Sequence, residues 1–430
     1  MTKGSHCKVL VVGGGGREHS LAWKLSCDPT VQVLCAPGNA GSSEVAECFD
    51  VSASDVAGLV TLATEQLVDL VVVGPEAPLV AGLVDALEAE GIPAFGPSQA
   101  AAQLEGSKVY SKLFMQRHGI PTADFAVFED AAEAEAYIRE ANRPLVVKAD
   151  GLAAGKGVIV ASDADEAIAG VHRIMRDRDF GEAGARLLVE ELLPGQEVSF
   201  HVVCDGEGYV AMAPAQDHKR IGEGDVGPNT GGMGAYSPPP VVDAALQEEI
   251  LKNVVEPTLR GMRSEGAPFR GVLFVGLMIS DAKPMVLEYN VRFGDPECQT
   301  IMTRWSGPIL PLLRGAAVGD LSGVEGAWEA PCSLCVVLAS EGYPGAYPKG
   351  RTIHGLGEAS AQEGVQVFHA GTRRAGQGYE TSGGRVLAVA AIGESVEHAA
   401  ERAYAAADHI EFEGMQLRRD IGHHARKSWS

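Results

Sequence analysis

The sequence predicts a multidomain protein that combines α/β and α+β architecture. Three observations support this fold class. The N-terminal quarter alternates short apolar strands with helical segments, the middle is rich in strands, and a further α/β unit follows residue 331. The length of 430 residues is compatible with about three domains.

The N-terminal segment has the pattern of a parallel, doubly wound sheet. Apolar runs at residues 8–12, 31–37 and 67–75 are separated by segments with helical spacing. Strands that alternate with helices form parallel βαβ units. We therefore predict a Rossmann-like domain over residues 1–107.

Four glycines at 13–16 follow the first strand and open a helix. Backbone N–H groups at such a junction bind anions. The dinucleotide fingerprint fits poorly, because Glu18 or His19 stands where its third glycine should be. The second strand also ends at 35–37 without the acidic residue that binds a ribose. We favour a phosphate or ribose phosphate over NAD, and a turn needed only for packing is the alternative.

A second glycine cluster lies at residues 145–160, between two apolar runs. Its tip contains Gly151, Gly155, Lys156 and Gly157. A P-loop has four residues between its first two glycines and a Ser or Thr after its lysine, and this segment has neither. Because both flanks read as strands, we predict a hairpin that folds over nucleotide phosphates as a mobile lid. Lys148 on the adjoining strand would supply a point charge, and a plain flexible hairpin is the alternative.

A predicted strand near residue 288 carries polar side chains on one face. Glu288 and Asn290 are two residues apart and so point to the same side. Carboxylate and amide oxygens suit magnesium, which also takes nucleotide phosphates as ligands. Arg292 continues this face with a forked donor for phosphate or carboxylate. An ordinary half-exposed strand is the alternative.

Residues 214–240 read as a long loop with a polar cluster at 217–220 and glycines at 231–234. Loops of this composition often shape substrate pockets, and a solvated loop is the alternative. His423 and His424 have no partner at useful spacing, so we predict that they lie on the surface.

Composition narrows the function classes. The formal charge of −22 argues against a nucleic-acid or anionic-membrane partner. No apolar stretch approaches the length of a membrane span, and the eight cysteines, mostly in apolar surroundings, indicate a reduced, cytoplasmic protein. Cys332 and Cys335 point to opposite faces of a predicted strand, which favours core packing over a metal site. The 53 glycines exceed the usual share and concentrate in the clusters described above.

Together these motifs resemble the ATP-grasp enzymes and, more closely, the phosphoribosylamine–glycine ligase family of purine biosynthesis. The matching segments extend over almost the whole chain: GGGGREH, APGNAG, VGPEAPL, GPSQAAAQLEGSK, KADGLAAGKGV, AQDHKR, GPNTGGMGAYSP, EYNVRFGDPE, FHAGT and GGRVLAV. The resemblance implies an ATP-grasp region over 108–330, with a lid at about 124–192, and a small α/β domain over 331–430.

The resemblance also implies residue roles. It assigns ATP binding to the lid tip and to Lys108, Lys148, Glu190, Glu191, Leu193 and Glu197, with Glu197 at the ribose and 190–193 beside adenine. It assigns Mg²⁺ or Mn²⁺ to Glu288 and Asn290. The expected substrate-binding residues are Gly16, Asn39, Glu76, Asp217, Lys219 and Arg292. Asp217 and Arg292 are the expected catalytic residues, and His218 is a second candidate general base.

The implied reaction is ATP-dependent ligation of glycine to 5-phosphoribosylamine through glycyl phosphate. A monomer is expected, with a dimer as the alternative. Two other functions stay open at this point: an ATP-grasp ligase for a different carboxylate and amine, and a non-catalytic nucleotide-binding protein.

Overall fold

A parallel five-stranded sheet forms the N-terminal region of the computed structural model, which describes residues 6–152 and 157–426. Its elements are β1 (Cys7–Gly13), α1 (Gly16–Ser26), β2 (Val31–Pro37), α2 (Ser42–Val45), β3 (Glu47–Cys48), α3 (Val56–Glu65), β4 (Leu70–Val73), α4 (Glu76–Val80), α5 (Leu83–Ala89), β5 (Ala94–Phe95) and α6 (Gln103–Gly106). The strands lie in the order β3-β2-β1-β4-β5. Val9 to Val12 of β1 are fully buried, as expected where helices cover both faces of a sheet. The Rossmann-like prediction is confirmed.

A small antiparallel sheet follows, in the order β6-β9-β7-β8. The elements here are α7 (Lys108–Arg117), β6 (Phe125–Phe128), α8 (Ala131–Ala141), β7 (Leu145–Ala149), β8 (Val158–Ala161), α9 (Ala164–Val171), a π-helical turn (His172–Arg176), a 3₁₀ turn (Gly181–Gly184) and β9 (Leu187–Glu191). Strands β7 and β8 pair antiparallel, so the glycine-rich tip joins two strands as predicted. Gly155 and Lys156 lie outside the described residues.

A second antiparallel sheet of the middle region has the order β11-β10-β16-β17. The elements that build it and pack around it are β10 (Gln196–Asp205), β11 (Tyr209–Ala211), α10 (Ala244–Ile250), a π-helical turn (Leu251–Val255), α11 (Glu256–Ser264), β16 (Arg270–Ser280), β17 (Lys283–Asn290), α12 (Glu297–Arg304) and α13 (Leu310–Val318). Leu10 of the N-terminal sheet and Phe200 of β10 belong to one hydrophobic core. The two regions therefore pack as one body.

The prediction of a loop over 214–240 is wrong in part, because the segment contains four short strands. These are β12 (Gln216–Asp217), β13 (Arg220–Gly222), β14 (Val226–Asn229) and β15 (Gly234–Ser237). Strand β15 pairs with residues 333–336 far along the chain. The segment has no alternating apolar pattern, and its four strands pair with each other or, for β15, with a distant strand, so the local pattern does not reveal them.

The C-terminal region is a mixed α/β unit. It contains β18 (Cys332–Ala339), β19 (Thr352–Ile353), α14 (Leu356–Ser360), β20 (Val365–His369), β21 (Thr372–Ala375), β22 (Gly378–Thr381), β23 (Arg385–Gly393) and α15 (Val396–Ala407). Its main sheet has the order β12-β15-β18-β23-β20 and so includes two strands from the middle of the chain. Cys335 is fully buried in this sheet, in agreement with a packing role. No helix among the described residues has the length and apolarity needed to cross a membrane.

Candidate active site

A cavity of about 730 Å³ lies between the two antiparallel sheets of the middle region. Residues of β7, β8 and β9 line one wall, and residues of β10, β16 and β17 line the other. Part of the 214–240 segment also lines the cavity, together with Arg17 and Glu76 of the N-terminal region. The lining mixes apolar residues with many charged ones, and a cleft of this size is typical of small-molecule and cofactor sites.

Two lysines share one carboxylate at the inner end of this cavity. Lys148 on β7 lies 2.9 Å from one oxygen of Glu190 on β9, and Lys112 on α7 lies 3.0 Å from the other. All three residues are buried. Burial lowers the pKa of Lys112 to about 8, and the Glu190 carboxylate opposes this shift. The cluster holds two amino groups and one carboxylate in fixed positions on the cavity wall.

Lys148 and Glu190 are among the residues expected from the sequence, whereas Lys112 is not. The signal was present, because Lys112 follows Lys108 by four residues on one helix. Residues at this spacing share a helix face, and both lysines do line the cavity.

Lys108 connects the first turn of α7 to the hairpin tip. Its Nζ donates to the Gly151 carbonyl oxygen at 3.0 Å. Ser107 caps the helix and donates from Oγ to Asp150 at 2.9 Å. Gly151 has a φ of +123°, which side chains larger than glycine rarely adopt. Gly157 is buried and lines the cavity, and its carbonyl accepts from the Ala149 amide.

Glu288 and Asn290 lie on β17 and line the cavity together. Burial raises the pKa of Glu288, but Lys219, Lys148, Lys108 and Arg292 outweigh it and hold the pKa below its ordinary value. Glu288 is therefore ionised at neutral pH. Among the described residues its carboxylate accepts no hydrogen bond, and it offers hard oxygen donors beside the Asn290 amide. This donor set fits Mg²⁺.

Three charged residues meet near the ends of β10 and β12. Lys219 forms an ion pair with Glu197. Burial alone would lower the pKa of Lys219, but Glu197, Asp217 and Glu288 raise it well above its ordinary value. Burial and the nearby carboxylates Glu297 and Glu197 raise the pKa of Asp217, while Lys219 opposes them. The pKa of Asp217 is thus raised, whereas the pKa of Glu288, which lines the same cavity, is lowered.

Arg292 joins the middle region to the N-terminal region. Its Nη2 lies 2.8 Å from Glu105 Oε1, and its Nε lies 3.3 Å from Glu76 Oε2. The Nη2 group also donates to Asn290 Oδ1 at 3.1 Å. Burial raises the pKa of Glu105, and Glu105 also accepts from the Val291 amide at 2.7 Å. The guanidinium is thus held next to the residues that fit Mg²⁺, and Glu105 is a partner that sequence analysis missed.

Gly16 and Asn39 lie at the glycine turn of the N-terminal sheet and not in the cavity lining. The Asn39 amide nitrogen donates to the Gly14 and His369 carbonyls at 3.0 and 2.7 Å. Its oxygen accepts from the Gly41 amide at 3.0 Å. The Asn39 side chain thus ties the turn to the C-terminal region.

His218 is a poor candidate for a general base. It is buried, and its Nε2 accepts a hydrogen bond from the Gly422 amide at 2.9 Å. The neutral ring therefore carries its proton on Nδ1, which faces Asp225 at 3.7 Å. Burial also lowers the pKa of His218. Its proton-accepting atom is thus occupied by the backbone.

The prediction that His423 and His424 lie on the surface is confirmed for His424, which is exposed, but the expectation that they have no useful partner is wrong. The ring centroids of His423 and His218 are 5.1 Å apart, and both C-terminal histidines lie within 4 Å of Asp225. The fully buried Arg418 pairs with Asp225 at 2.7 Å. The C-terminal tail therefore holds the segment that carries Asp217. This contact joins positions about 200 residues apart, which a spacing rule within one segment cannot find.

Two antiparallel sheets that enclose a nucleotide-sized cavity, a glycine-rich hairpin at its edge, and lysines facing oxygen donors define an ATP-grasp enzyme. Family models extend this assignment over nearly the whole chain. "Phosphoribosylglycinamide synthetase, N domain" matches residues 7–105, the "ATP-grasp (A) domain" matches 106–298, and the "C domain" matches 333–424. The chain belongs to the phosphoribosylglycinamide synthetase family.

Curated relatives agree with this family. The chain is 52% identical over 416 residues to the phosphoribosylamine–glycine ligase of Rhizobium meliloti, covering 96% of this chain and 98% of that protein. It is 50% identical over 422 residues to the enzyme of the same name from Vibrio cholerae, covering 97% and 98%.

Solved structures give the same result for the fold. The crystal structure of phosphoribosylamine–glycine ligase from Thermotoga maritima superposes with a TM-score of 0.82 at 34% identity, over 96% of this chain and all of that chain. The biotin carboxylase domain of the Hydrogenobacter thermophilus 2-oxoglutarate carboxylase, solved with MgADP and bicarbonate, gives a TM-score of 0.73 at 18% identity, over 97% of this chain and 93% of that chain. The second likeness concerns the fold alone.

Proposed function

We infer that this protein is an ATP-dependent ligase that joins glycine to 5-phosphoribosylamine in purine biosynthesis. The products are glycinamide ribonucleotide, ADP and phosphate. Family membership over the full set of domains supports this activity. The structural observation that carries it is the cavity where Lys148, Lys108 and Arg292 surround the ionised Glu288.

The reaction has two steps because a carboxylate is a poor electrophile. A glycine carboxylate oxygen attacks the γ-phosphorus of ATP, the bond to the bridging oxygen breaks, and ADP leaves. The amine of phosphoribosylamine then attacks the acyl carbon of glycyl phosphate. The amide bond forms, phosphate leaves, and the nitrogen loses a proton. Positioning and charge neutralisation dominate phosphoryl transfer, and cationic side chains around the cavity provide both.

We propose that the ATP phosphates bind Lys108 and Lys148 beneath the hairpin tip, to which Gly151, Gly155, Lys156 and Gly157 belong. Glu190 acts through the two lysines that it holds, while its segment with Glu191 and Leu193 covers the adenine. Glu197 binds the ribose hydroxyls and exchanges its present partner, Lys219, for them. Closure of the hairpin would protect glycyl phosphate from water.

Glu288 and Asn290 are our proposed ligands for Mg²⁺, with Mn²⁺ as the alternative. When bound, the metal would neutralise charge on the transferring phosphoryl group. Glu288 supplies an ionised carboxylate because the neighbouring cations lower its pKa. Asn290 is oriented by its hydrogen bond from Arg292.

For the substrates we propose Gly16, Asn39 and Glu76 on the ribose-phosphate side, and Asp217, Lys219 and Arg292 on the glycine side. Asp217 is the proposed acceptor of the proton released by the attacking amine, because burial and the nearby carboxylates raise its pKa and so make it a stronger base. Arg292 is the proposed acyl-phosphate ligand. It would have to turn one N–H group from Glu76 or Glu105 toward the substrate.

The proposed domain boundaries are 1–107, 108–330 with a lid at about 124–192, and 331–430. The family-model bounds support them, although two strands before residue 330 complete the C-terminal sheet. We further propose that the protein is cytoplasmic and monomeric and binds no nucleic acid, which its charge of −22 supports.

The test is ADP release with ATP, glycine and freshly prepared phosphoribosylamine, with each substrate omitted in turn. The proposal predicts that glycinamide ribonucleotide and ADP form in equal amounts and only in the complete mixture. ADP release that is indifferent to both glycine and the amine would overturn it. Release with another amine or carboxylate in place of these substrates would indicate a different ATP-grasp ligase.

A further inference from the structure

Two cysteines lie side by side at the edge of the N-terminal sheet. Cys35 on β2 and Cys48 on β3 are direct partners in the parallel pairing of these strands. Directly opposed residues of neighbouring strands extend their side chains to the same face. The spacing of paired strands, about 4.8 Å, falls within the range of Cα separations that a disulfide can bridge.

The two thiols differ in access to solvent. Cys35 is fully buried, and Cys48 is exposed. A hydrogen bond from Cys35 lowers the pKa of the Cys48 thiol, and the same bond together with burial raises the pKa of Cys35. An accessible thiol that ionises more readily beside a buried protonated thiol is the arrangement of an attacking and a resolving cysteine.

The backbone leaves room for this pair. Gly38 has a φ of +70°, and a Cβ built on it would lie 2.7 Å from the Cys48 sulfur and 3.0 Å from the Cys35 Cβ. Any side chain at position 38 would therefore occupy the space between the two cysteines. The Gly38 amide also donates to the Gly13 carbonyl at 3.1 Å, so the pair lies directly beside the glycine turn.

We propose that Cys35 and Cys48 form a reversible disulfide by reaction with a small-molecule disulfide such as oxidised glutathione. The Cys48 thiolate attacks one sulfur of the oxidant, which forms a mixed disulfide and releases one thiolate. The Cys35 sulfur then attacks the Cys48 sulfur of the mixed disulfide. The second thiol leaves with the Cys35 proton, so two protein thiols are oxidised while one disulfide is reduced to two thiols.

Other cysteines lack this arrangement. Cys27 is exposed, but its sulfur lies 3.3 Å from the Trp23 carbonyl, and burial raises its pKa. Cys332 and Cys335 are three residues apart on one strand and point to opposite faces. A reducing compartment would keep the Cys35–Cys48 disulfide transient.

The test treats the folded Cys27→Ser protein with oxidised glutathione, removes the reagent, and blocks free thiols under denaturing conditions. Digestion with trypsin and a glutamate-specific protease separates residues 25–44 from residues 48–65. In this variant each of the two peptides contains one cysteine. The proposal predicts a disulfide-linked pair of these peptides that dithiothreitol releases, and an intact mass lower by two hydrogens with no retained glutathione.

The matched control is Cys27→Ser/Cys35→Ser, which lacks the resolving thiol. It should stop at a glutathione adduct on Cys48. The proposal is overturned if the Cys27→Ser protein also stops at that adduct, or if Cys48 stays unmodified in both variants. A crosslink that forms only when the protein is denatured before oxidation would also overturn the proposal, because the paired strands of the folded sheet would then play no part.

Discussion

Replacing Glu190 by glutamine tests the charged cluster of the cavity. The change keeps the size of the side chain but removes the carboxylate that lies 3.0 Å from Lys112 and 2.9 Å from Lys148. Both ammonium groups then stay buried beside each other without their shared counter-charge. Glu191→Gln is the matched control, because Glu191 is next in sequence and forms an ion pair with Arg143 in which both side chains are over a third exposed.

The two variants should differ severalfold in their effect on stability. Removing one partner of a buried ion pair costs about 3–5 kcal/mol of unfolding free energy, because the remaining charge is left unpaired. Such a loss lowers the melting temperature on the order of 10 °C for a domain of this size. The exposed Glu191–Arg143 pair contributes at most about 1 kcal/mol.

The stability deficit of Glu190→Gln should also depend on pH. Lys112 has a folded-state pKa of about 8, below that of an unfolded lysine, and loss of Glu190 lowers it further. At a pH below the folded-state pKa of Lys112 in the variant, Lys112 is charged in both proteins and the stability deficit is complete. As pH rises toward about 8, Lys112 loses its proton in the variant first, so the deficit shrinks.

Thermal unfolding of both variants and the wild type, with and without MgATP, measures these effects. MgATP should raise the melting temperature of Glu190→Gln more than that of the wild type, because phosphate oxygens replace the missing counter-charge. Equal losses for Glu190→Gln and Glu191→Gln would show that Glu190 is not a buried counter-charge for the two lysines. So would a Glu190→Gln deficit that grows with rising pH.

Three further predictions follow from buried charged or neutral groups. Glu288→Gln should lower kcat on the order of 100-fold with little change in melting temperature, measured by Mg²⁺ titration of ADP release. His201 has a pKa of about 3 through burial. Because His201 takes up a proton on unfolding, the unfolding free energy of the wild type should fall by about 1.2 kcal/mol more than that of His201→Phe between about pH 7 and about pH 5.5. Arg418→Met should destabilise the protein by about 3 kcal/mol by leaving Asp420 unpaired, measured by urea unfolding.

Each of these predictions has a contradicting result. Full Mg²⁺-dependent turnover in Glu288→Gln would remove Glu288 from the metal site. Parallel pH–stability curves for the wild type and His201→Phe would show that His201 does not stay neutral in the fold. Arg418→Met with wild-type stability would mean that the buried Arg418–Asp420 and Arg418–Asp225 pairs contribute nothing. Arg419→Met, which changes a half-exposed neighbour, is the control for the last case.

Periodic sequence patterns predicted the elements that each have a regular pattern of apolar or polar residues. The alternation of strands and helices predicted the parallel sheet, and the glycines between two apolar runs predicted the β7–β8 hairpin. Period-two spacing also put Glu288 and Asn290 on one face of a strand, and both line the cavity. For the hairpin and for the Glu288–Asn290 face the information lies within about a dozen residues, whereas the parallel sheet is indicated by alternation along the first ~100 residues.

Contacts between distant segments could not be predicted in this way. Glu105 and Arg292 pair across 187 positions, and Arg418 and Asp225 pair across 193. The β15–β18 pairing likewise depends on backbone hydrogen bonds that leave no alternating pattern in the glycine-rich segment. Spacing rules describe one helix or one strand, whereas these contacts depend on how the three regions pack against each other.

Activation of glycine as glycyl phosphate can be tested with an oxygen isotope. Glycine labelled with ¹⁸O in its carboxylate is turned over with ATP and phosphoribosylamine, and the inorganic phosphate is analysed by mass spectrometry. Transfer of phosphate to the carboxylate predicts one ¹⁸O atom in each phosphate released, because the bridging oxygen leaves with phosphorus when the amine attacks. Phosphate without ¹⁸O during full product formation would contradict this activation.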